Sequence, residues 1–266
     1  MACRVMGIVN VTPDSFSDGG RYFRPEEAIR RAENLIAEGA DIIDLGGEST
    51  RPGATPLDWQ AEWERLEPVL RGLSPSVRGA VPVSVDTYHP ETARRAVAAG
   101  CSIINCVAAE AVAGMLEILR ENGEIELVLP FRGGACPRGG RPDLVPEEAW
   151  GLSPAEMARV YLDPMVGFGT TREEDLALLC SIPRLAKLGR VLVGASRKRI
   201  VRKLVGEPPS ARLRKMWNQT GKGVGGNVAV AVWAALHGAS AVRVHEVRDT
   251  VQALRVAEAL EAGLGA

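Results

Sequence analysis

Short apolar runs rich in β-branched residues alternate with amphipathic helical patterns along the whole chain. Runs that are apolar at successive positions are typical of strands buried on both faces of a parallel sheet. They predict strands at residues 3–9, 41–46, 81–86, 101–107, 125–131, 190–195 and 241–247, and a weaker one at 161–163. Helical patterns occupy residues 25–38, 57–71, 90–99, 108–122, 172–188, 224–237 and 249–262.

This β-α unit repeats about eight times without a linker, so we predict an α/β fold, a closed (β/α)8 TIM barrel forming a single domain over residues 1–266. The length of 266 residues agrees, because such barrels take about 250 residues. The segment after the fifth strand is rich in Gly and Pro, and only residues 154–160 have a helical pattern there. We therefore expect a shortened, loop-rich fifth β-α unit.

Charge and cysteine content narrow the possible partners. A net charge of −1, from 32 basic and 33 acidic residues, gives no reason to expect nucleic-acid or membrane binding. The longest apolar runs are far shorter than the roughly 18–20 residues of a membrane span, and the N-terminus lacks the order of a signal peptide. Five scattered cysteines without a C-x-x-C pair fit reduced thiols. We expect a cytoplasmic protein.

Polar residues stand at the end of almost every predicted strand. In a TIM barrel the active site lies at these carboxyl ends, and unpaired buried charges there cost several kcal/mol each unless they bind a ligand. The candidates are Asn10, Glu48, Ser49, Thr50, Arg51, Asp86, Asn105, Asp163, Ser196, Arg197, Lys198, Arg243 and His245. So many at one rim predict a binding site.

The mixed charges of these residues describe the ligand. Arg51, Lys198 and Arg243 could hold an anion, and arginine suits forked contacts to phosphate. Asp86, Asn105 and Asp163 instead suit a flat heterocycle that has both donors and acceptors. We expect a ligand with an anionic arm and a polar ring. The first loop, residues 10–22, could close over it as a lid.

Seven motifs resemble the dihydropteroate synthase family. GIVNVTPDSFSDGGRY at 7–22 and GADIIDLGGESTRPGA at 39–54 are similar to its two long signatures. Five shorter motifs follow in the family's order: VPVSVDT at 81–87, IIN at 103–105, LDPMVGFG at 162–169, GASRK at 194–198 and RVHEV at 243–247. The resemblance covers nearly the whole chain.

The resemblance implies a homodimeric transferase that joins a pterin pyrophosphate to p-aminobenzoate. It implies that Asp86, Asn105, Asp163 and Lys198 bind the pterin, and that Asp86, Asp163, Lys198 and Arg243 are catalytic. It assigns the pyrophosphate to Asn10, Thr50, Arg51, Arg243 and His245, with Asn10 also binding Mg²⁺. It assigns the p-aminobenzoate to Pro52, Phe168, Lys198 and Arg199. Neither a covalent intermediate nor a cysteine nucleophile is implied.

Four departures from the family pattern keep alternatives open. The chain has Cys106 where the family usually has Asp, Thr170 where Lys is usual, Arg199 where a small residue is common, and Phe131-Arg132 in place of a Met-His pair. These changes suggest a paralogue that is non-catalytic or uses a different arylamine acceptor. A methyltetrahydrofolate:corrinoid methyltransferase is a further alternative, although such an enzyme needs neither the 10–22 loop nor Arg51 and Arg243 for a pyrophosphate.

Overall fold

Eight parallel strands close into a barrel in chain order, which confirms the predicted TIM barrel. The computed structural model describes residues 3–12, 24–48, 55–132, 150–206 and 223–264. The strands are β1 (Arg4–Asn10), β2 (Ile42–Gly46), β3 (Val83–Asp86), β4 (Ile103–Asn105), β5 (Glu126–Pro130), β6 (Val160–Asp163), β7 (Arg190–Val193) and β8 (Ala241–Val244). All eight predicted strands are present, each within a few residues of its predicted bounds.

The strands are buried on both faces, as their continuous apolar runs predict. Every residue of β2, β4 and β6 is buried, and even the large side chain of Tyr161 is fully enclosed. Such burial requires cover on each side, which in a (β/α)8 fold comes from the barrel interior and the outer helices. The weak pattern at 161–163 is therefore a core strand.

Helices follow the strands around the barrel. They are α1 (Pro25–Ala37), α2 (Trp59–Gly72), α3 (Pro75–Ala80), α4 (Pro90–Ala98), α5 (Val112–Glu121), α6 (Pro154–Met157), α7 (Arg172–Cys180), α8 (Ile182–Leu185), α9 (Arg199–Leu204), α10 (Val224–Leu236) and α11 (Val247–Leu264). A 3-10 turn, Ala109–Ala111, precedes α5.

Local signals explain where α1 and α4 begin and end. Each has Pro in its first turn, where the missing N–H costs no hydrogen bond. Each ends two residues before a glycine with positive φ, 99° at Gly39 and 94° at Gly100. Glycine adopts this left-handed conformation without the strain of a Cβ, so it ends helices well.

The predicted helix 172–188 is wrong as a single element, because the structure divides it into α7 and α8 at Ser181. Pro183 has no N–H and its ring would clash with the carbonyl four residues earlier, so it disfavours a continuous helix at this point. In the fifth unit a short helix lies where the pattern at 154–160 predicts one, with α6 covering four residues and β6 starting at Val160, whereas residues 133–149 lie outside the described residues. The six-residue helices α3 and α9 were not predicted, since so few residues show no clear periodicity.

The chain divides into two compact units. The first comprises residues 6–130 and 159–161, and the second comprises residues 1–5, 131–158 and 162–266. We describe the candidate site separately for each unit. None of the helices described here is both long enough and apolar enough to cross a membrane.

Candidate functional site

In the first unit, β1 to β4 bring three predicted site residues to equivalent positions. Asn10 lies opposite Gly46, Gly46 opposite Asp86, and Asp86 opposite Asn105. These residues are the last of their strands, so parallel pairing places them at one end of the four-stranded segment. The predicted grouping of Asn10, Asp86 and Asn105 follows directly from this register.

The Asn105 side chain is oriented for a ligand. Asn105 is 1% exposed, and its Nδ2 donates to Oδ2 of Asp44 at 3.3 Å. Its Oδ1 is buried and has no hydrogen-bond partner among the residues that the structure describes. A buried acceptor without a partner is costly, so it is suited to a donor group on a bound molecule.

Asp44, which sequence analysis did not select, holds Asn105 in place. It is fully buried in β2 and also accepts a hydrogen bond from Oγ of Ser84 at 2.6 Å. Because Asp44 accepts from the amide nitrogen, it orients the amide oxygen away from itself. The sequence signal for Asp44 is an acidic residue inside an apolar strand, whereas the site residues predicted from the pattern all come from strand ends.

A buried carboxyl group on α2 supports the same strand ends. Glu62 is fully buried and accepts a hydrogen bond from Oγ1 of Thr87 at 2.6 Å. The backbone N–H of Thr87 in turn donates to the carbonyl of Asn105 at 3.0 Å. Burial raises the pKa of Glu62 from 4.5 to about 7, and its Oε1 lacks a partner within the described part of the chain.

We expect Glu62→Gln to make the protein more stable in alkali. A carboxyl with a raised pKa binds a proton in the folded state between pH 4.5 and about 7, so the stability it contributes below this window is lost as pH rises through it. At about 1.4 kcal/mol per pKa unit, the variant should exceed the parent by about 3 kcal/mol at pH 8 and be close to it near pH 4.5.

Urea unfolding at several pH values measures this difference. Glu64→Gln removes a carboxylate from an exposed position of the same helix and should leave the pH dependence unchanged. Parallel stability curves for Glu62→Gln and the parent would contradict the assignment.

Tyr88 and Arg65 fix the end of β2. Tyr88 donates to the Glu48 carboxylate, with its hydroxyl 2.9 Å from either oxygen, and burial together with this carboxylate raises the pKa of Tyr88 to about 12. Arg65 donates to the carbonyl of Gly47 at 3.0 Å. Thr50, Arg51 and Pro52 follow immediately but lie outside the described residues, as does most of the predicted 10–22 loop. Their roles stay predictions.

In the second unit, Asp163 ends β6 as a buried acid near several cations. It is 5% exposed, and its Oδ1 accepts the backbone N–H of Met165 at 2.7 Å. Burial raises the pKa of Asp163, while the charges of Lys198, Arg243 and Arg132 act to lower it. The rise means that the protein leaves this carboxylate incompletely compensated, as expected for a group that gains a cationic or donor partner from a ligand.

Lys198 lies next to Phe168, as the predicted p-aminobenzoate contacts require. Its Nζ donates to the carbonyl of Val166 at 2.5 Å and lies 4.2 Å from the centre of the Phe168 ring. Its aliphatic chain crosses Gly167, where a Cβ would come within 2.8 Å of Cδ and where φ is +80°. Only glycine satisfies both the close approach and this backbone conformation.

The departures at Arg132 and Thr170 support the loop between β6 and α7, whereas the side chain of Phe131 packs on Trp150. Arg132 donates to the carbonyl of Phe168 at 2.6 Å, and Phe131 packs edge-on against Trp150 with ring centres 5.5 Å apart. Thr170 donates to the buried carboxylate of Asp175, which also accepts the backbone N–H of Gly167. The Arg132 charge beside Asp163 had not been predicted.

The other two departures from the family pattern, Cys106 and Arg199, have no described contact with this loop. Cys106 is fully buried, and burial raises the pKa of its thiol to about 12, so it stays protonated and unreactive at neutral pH. Arg199 is exposed at the start of α9. Nothing in its described surroundings shows it pressing on Phe168 or Lys198.

The remaining predicted residues lie at the end of β8. Arg243 is half-buried within the strand and is close enough to Asp163 to influence its pKa. His245 follows the strand by one residue, with its Nδ1 3.0 Å from Oγ of Ser196 at the end of β7. The second unit therefore combines a buried carboxylate with Lys198, Arg243 and His245, which is consistent with an anion bound beside a polar ring.

Comparisons with known proteins agree with this chemistry. The sequence profile described as "Pterin binding enzyme" matches residues 6–140 and 146–245. The dihydropteroate synthase of Mycobacterium leprae is 36% identical over 98% of this chain and 94% of its own length.

Two similar solved structures are of the Xanthomonas albilineans dihydropteroate synthase. One, with 4-aminobenzoic acid, has a TM-score of 0.78 at 39% identity, covering 98% of this chain and 94% of the other. The second, in complex with 7,8-dihydropteroate, has a TM-score of 0.74 at 35% identity and the same coverage. Profile, relative and structures agree over nearly the full length, and the chain therefore belongs to the dihydropteroate synthase family of transferases.

Proposed function

We propose that the protein condenses 6-hydroxymethyl-7,8-dihydropterin pyrophosphate with p-aminobenzoate, giving 7,8-dihydropteroate and pyrophosphate. The observation that carries the proposal is the group at β6 to β8, where the buried Asp163 carboxylate is close enough to Lys198, Arg243 and Arg132 to feel their charges and where Lys198 lies over the ring of Phe168. A relative that binds 4-aminobenzoic acid and 7,8-dihydropteroate supports the choice of substrates.

Each group has a role in this reaction. Asp86, Asn105 and Asp163 accept hydrogen bonds from the donor edge of the pterin, and the carboxylates favour positive charge that develops at its methylene carbon. The C–O bond to pyrophosphate breaks, and Lys198, Arg243 and His245 stabilise the departing anion. The neutral amine of p-aminobenzoate then forms the C–N bond and loses a proton, so no covalent enzyme intermediate is required.

Mg²⁺ is proposed to accompany the pyrophosphate, with Asn10 as its protein ligand. Asn10 is half-exposed at the end of β1, and an amide oxygen is a suitable ligand for this hard cation. Mg²⁺ usually binds one or two protein groups together with substrate phosphates and water, so the absence of a three-residue metal cluster among the described residues is compatible. The ion would neutralise charge on the leaving group.

Pyrophosphate release tests the proposal. The pterin pyrophosphate is supplied with Mg²⁺, with and without p-aminobenzoate, and we expect release that depends on the arylamine. Pterin binding without release would instead indicate a non-catalytic paralogue, and release only with substituted arylamines would indicate an altered acceptor. A corrinoid-dependent methyl transfer would move the assignment to the methyltransferase.

We also propose that the protein is a cytoplasmic homodimer. Two apolar grooves of about 910 and 420 Å³ share Ala229 and Trp233 on the second unit. All the exposed large hydrophobic residues of the described chain line them: Leu176, Leu204, Val205, Leu236, Val256 and Leu260. A patch of this kind is typical of a protein interface.

We expect Leu260→Glu combined with Val256→Glu to produce a monomer. Both side chains are more than half exposed on α11, and charges there would have to be buried without partners in a dimer. Light scattering after gel filtration measures the mass. Gln60→Glu adds a charge on α2 and should leave the dimer intact, whereas a monomeric parent protein would contradict the proposal.

A further inference from the structure

Glu246 lies at the centre of a hydrogen-bond network that joins the end of β7 to the start of α11. Its carboxylate is 7% exposed and binds Arg197 through one oxygen, with Arg197 Nε at 2.7 Å and Nη2 at 2.6 Å. The other oxygen accepts from Nδ2 of Asn227 and Oγ of Ser196, both at 3.1 Å. Ser196 then contacts His245.

The donors and acceptors of this network determine which ring nitrogen of His245 carries the proton. The carboxylate of Glu246 only accepts, so the single hydroxyl proton of Ser196 points to Glu246. The backbone N–H of His245 donates to the same hydroxyl oxygen at 3.3 Å. One lone pair of that oxygen remains, and it faces Nδ1 of His245 at 3.0 Å. Nδ1 must therefore carry a proton to make a hydrogen bond.

We propose that Glu246 is a positioning residue that acts through Ser196 to fix His245 as the Nδ1–H tautomer. Histidine in water favours the other tautomer, with the proton on Nε2, so the network imposes a definite state and orientation on the ring. With Nδ1 engaged by Ser196, Nε2 becomes the nitrogen that binds a phosphate oxygen when the ring is protonated. This assignment rests on the proposed function only for the identity of the anion.

The same carboxylate secures the turn that precedes Lys198. Arg197 has a positive φ of 62°, which a residue with a Cβ adopts only when its surroundings stabilise it. Asn227, which is 4% exposed, accepts the backbone N–H of Arg197 at 2.9 Å while donating to Glu246. Glu246 thus connects the orientation of His245 with the backbone that carries Lys198.

Glu246→Gln is the informative substitution. A glutamine keeps the shape, and its single carbonyl oxygen is held by the charged Arg197, so its NH₂ faces Ser196. Ser196 must then accept from residue 246 and turn its own proton towards Nδ1 of His245. We expect the tautomer to reverse to Nε2–H. Asn227 also loses its acceptor on residue 246, which weakens the support of the turn before Lys198, so the KM for the pterin pyrophosphate should rise about tenfold with a smaller change in kcat.

Nitrogen NMR of ¹⁵N-histidine-labelled protein without substrate measures the tautomer above the titration of the ring. The chain has three histidines, so His245→Gln identifies the resonances. We expect protonated Nδ1 in the parent and in Glu246→Asp, and protonated Nε2 in Glu246→Gln. Glu258→Gln, at an exposed position of α11, is the control and should match the parent.

An Nε2–H tautomer in the parent, or the same tautomer in the parent and Glu246→Gln, would overturn the proposal. Because the spectra need no substrate, they decide the role of Glu246 even if the pyrophosphate-release assay fails. A protein that releases pyrophosphate normally but lacks the Nδ1–H tautomer would keep its proposed function and lose only this inference.

Discussion

Lys198→Met is expected to lower kcat/KM for pyrophosphate release by roughly 10²–10³-fold, the loss typical of removing a charged group that stabilises a developing anion. Methionine preserves the unbranched chain that packs on Gly167 and Phe168 but removes the ammonium group. The bond to the carbonyl of Val166 is lost as well. Steady-state kinetics with both substrates varied will show whether kcat, KM or both are affected.

Lys203→Met is the matched control for this substitution. Lys203 lies five residues further along, on α9, where it forms an exposed ion pair with Glu173. Exposed pairs contribute little, so activity and stability should be close to those of the parent. A loss below about tenfold in Lys198→Met, measured on folded protein, would remove Lys198 from the catalytic group.

Asp163→Asn is expected to weaken pterin binding without lowering the free energy of unfolding. The amide keeps the shape of the side chain, and its oxygen can still accept the N–H of Met165. Because burial raises the pKa of Asp163 despite the nearby cations, ionising this group is less favourable in the folded protein than in the unfolded chain, and a neutral side chain should not reduce the free energy of unfolding above neutral pH. Pterin affinity should nevertheless fall about 100-fold, since a charge-assisted bidentate contact is lost.

Calorimetric titration with the pterin and urea unfolding measure these two effects. Asp58→Asn makes the same chemical change at the N-cap of α2, where asparagine caps as well as aspartate, and should alter neither quantity. If Asp163→Asn binds pterin like the parent, Asp163 serves the fold rather than the ligand.

Several features could be predicted because they depend on neighbouring residues in the chain. Proline at the first turn and glycine after the last turn bound α1 and α4, and continuous apolar runs mark strands that are buried on both faces. Polar residues at strand ends are also a sequence pattern. Asp86, Asn105 and Asp163 were found in this way, and the structure places each one at the end of its strand.

The contacts of the supporting residues could not be predicted, because their partners are distant in the chain. Asp44 contacts Asn105 across 61 positions, and Glu246 contacts Ser196 across 50. Asp44 lies inside β2 and Glu246 lies two residues after β8, and neither position shows which distant residue it contacts. The break at Ser181 was a different failure, since Pro183 was visible in the sequence and its effect on the helix was underestimated.

The sequence alone determined the barrel, the strand-end residues and the family, because periodicity, helix boundaries and motifs are local properties. Only the tertiary structure decided which partners orient those side chains and how burial affects their protonation. The burial of Asp163 near three cations, the oxygen of Asn105 that has no partner among the described residues and the proposed proton on Nδ1 of His245 all depend on which atoms the fold brings within a few ångströms of each other. Desolvation and hydrogen bonding act at that distance, and no spacing along the chain encodes it.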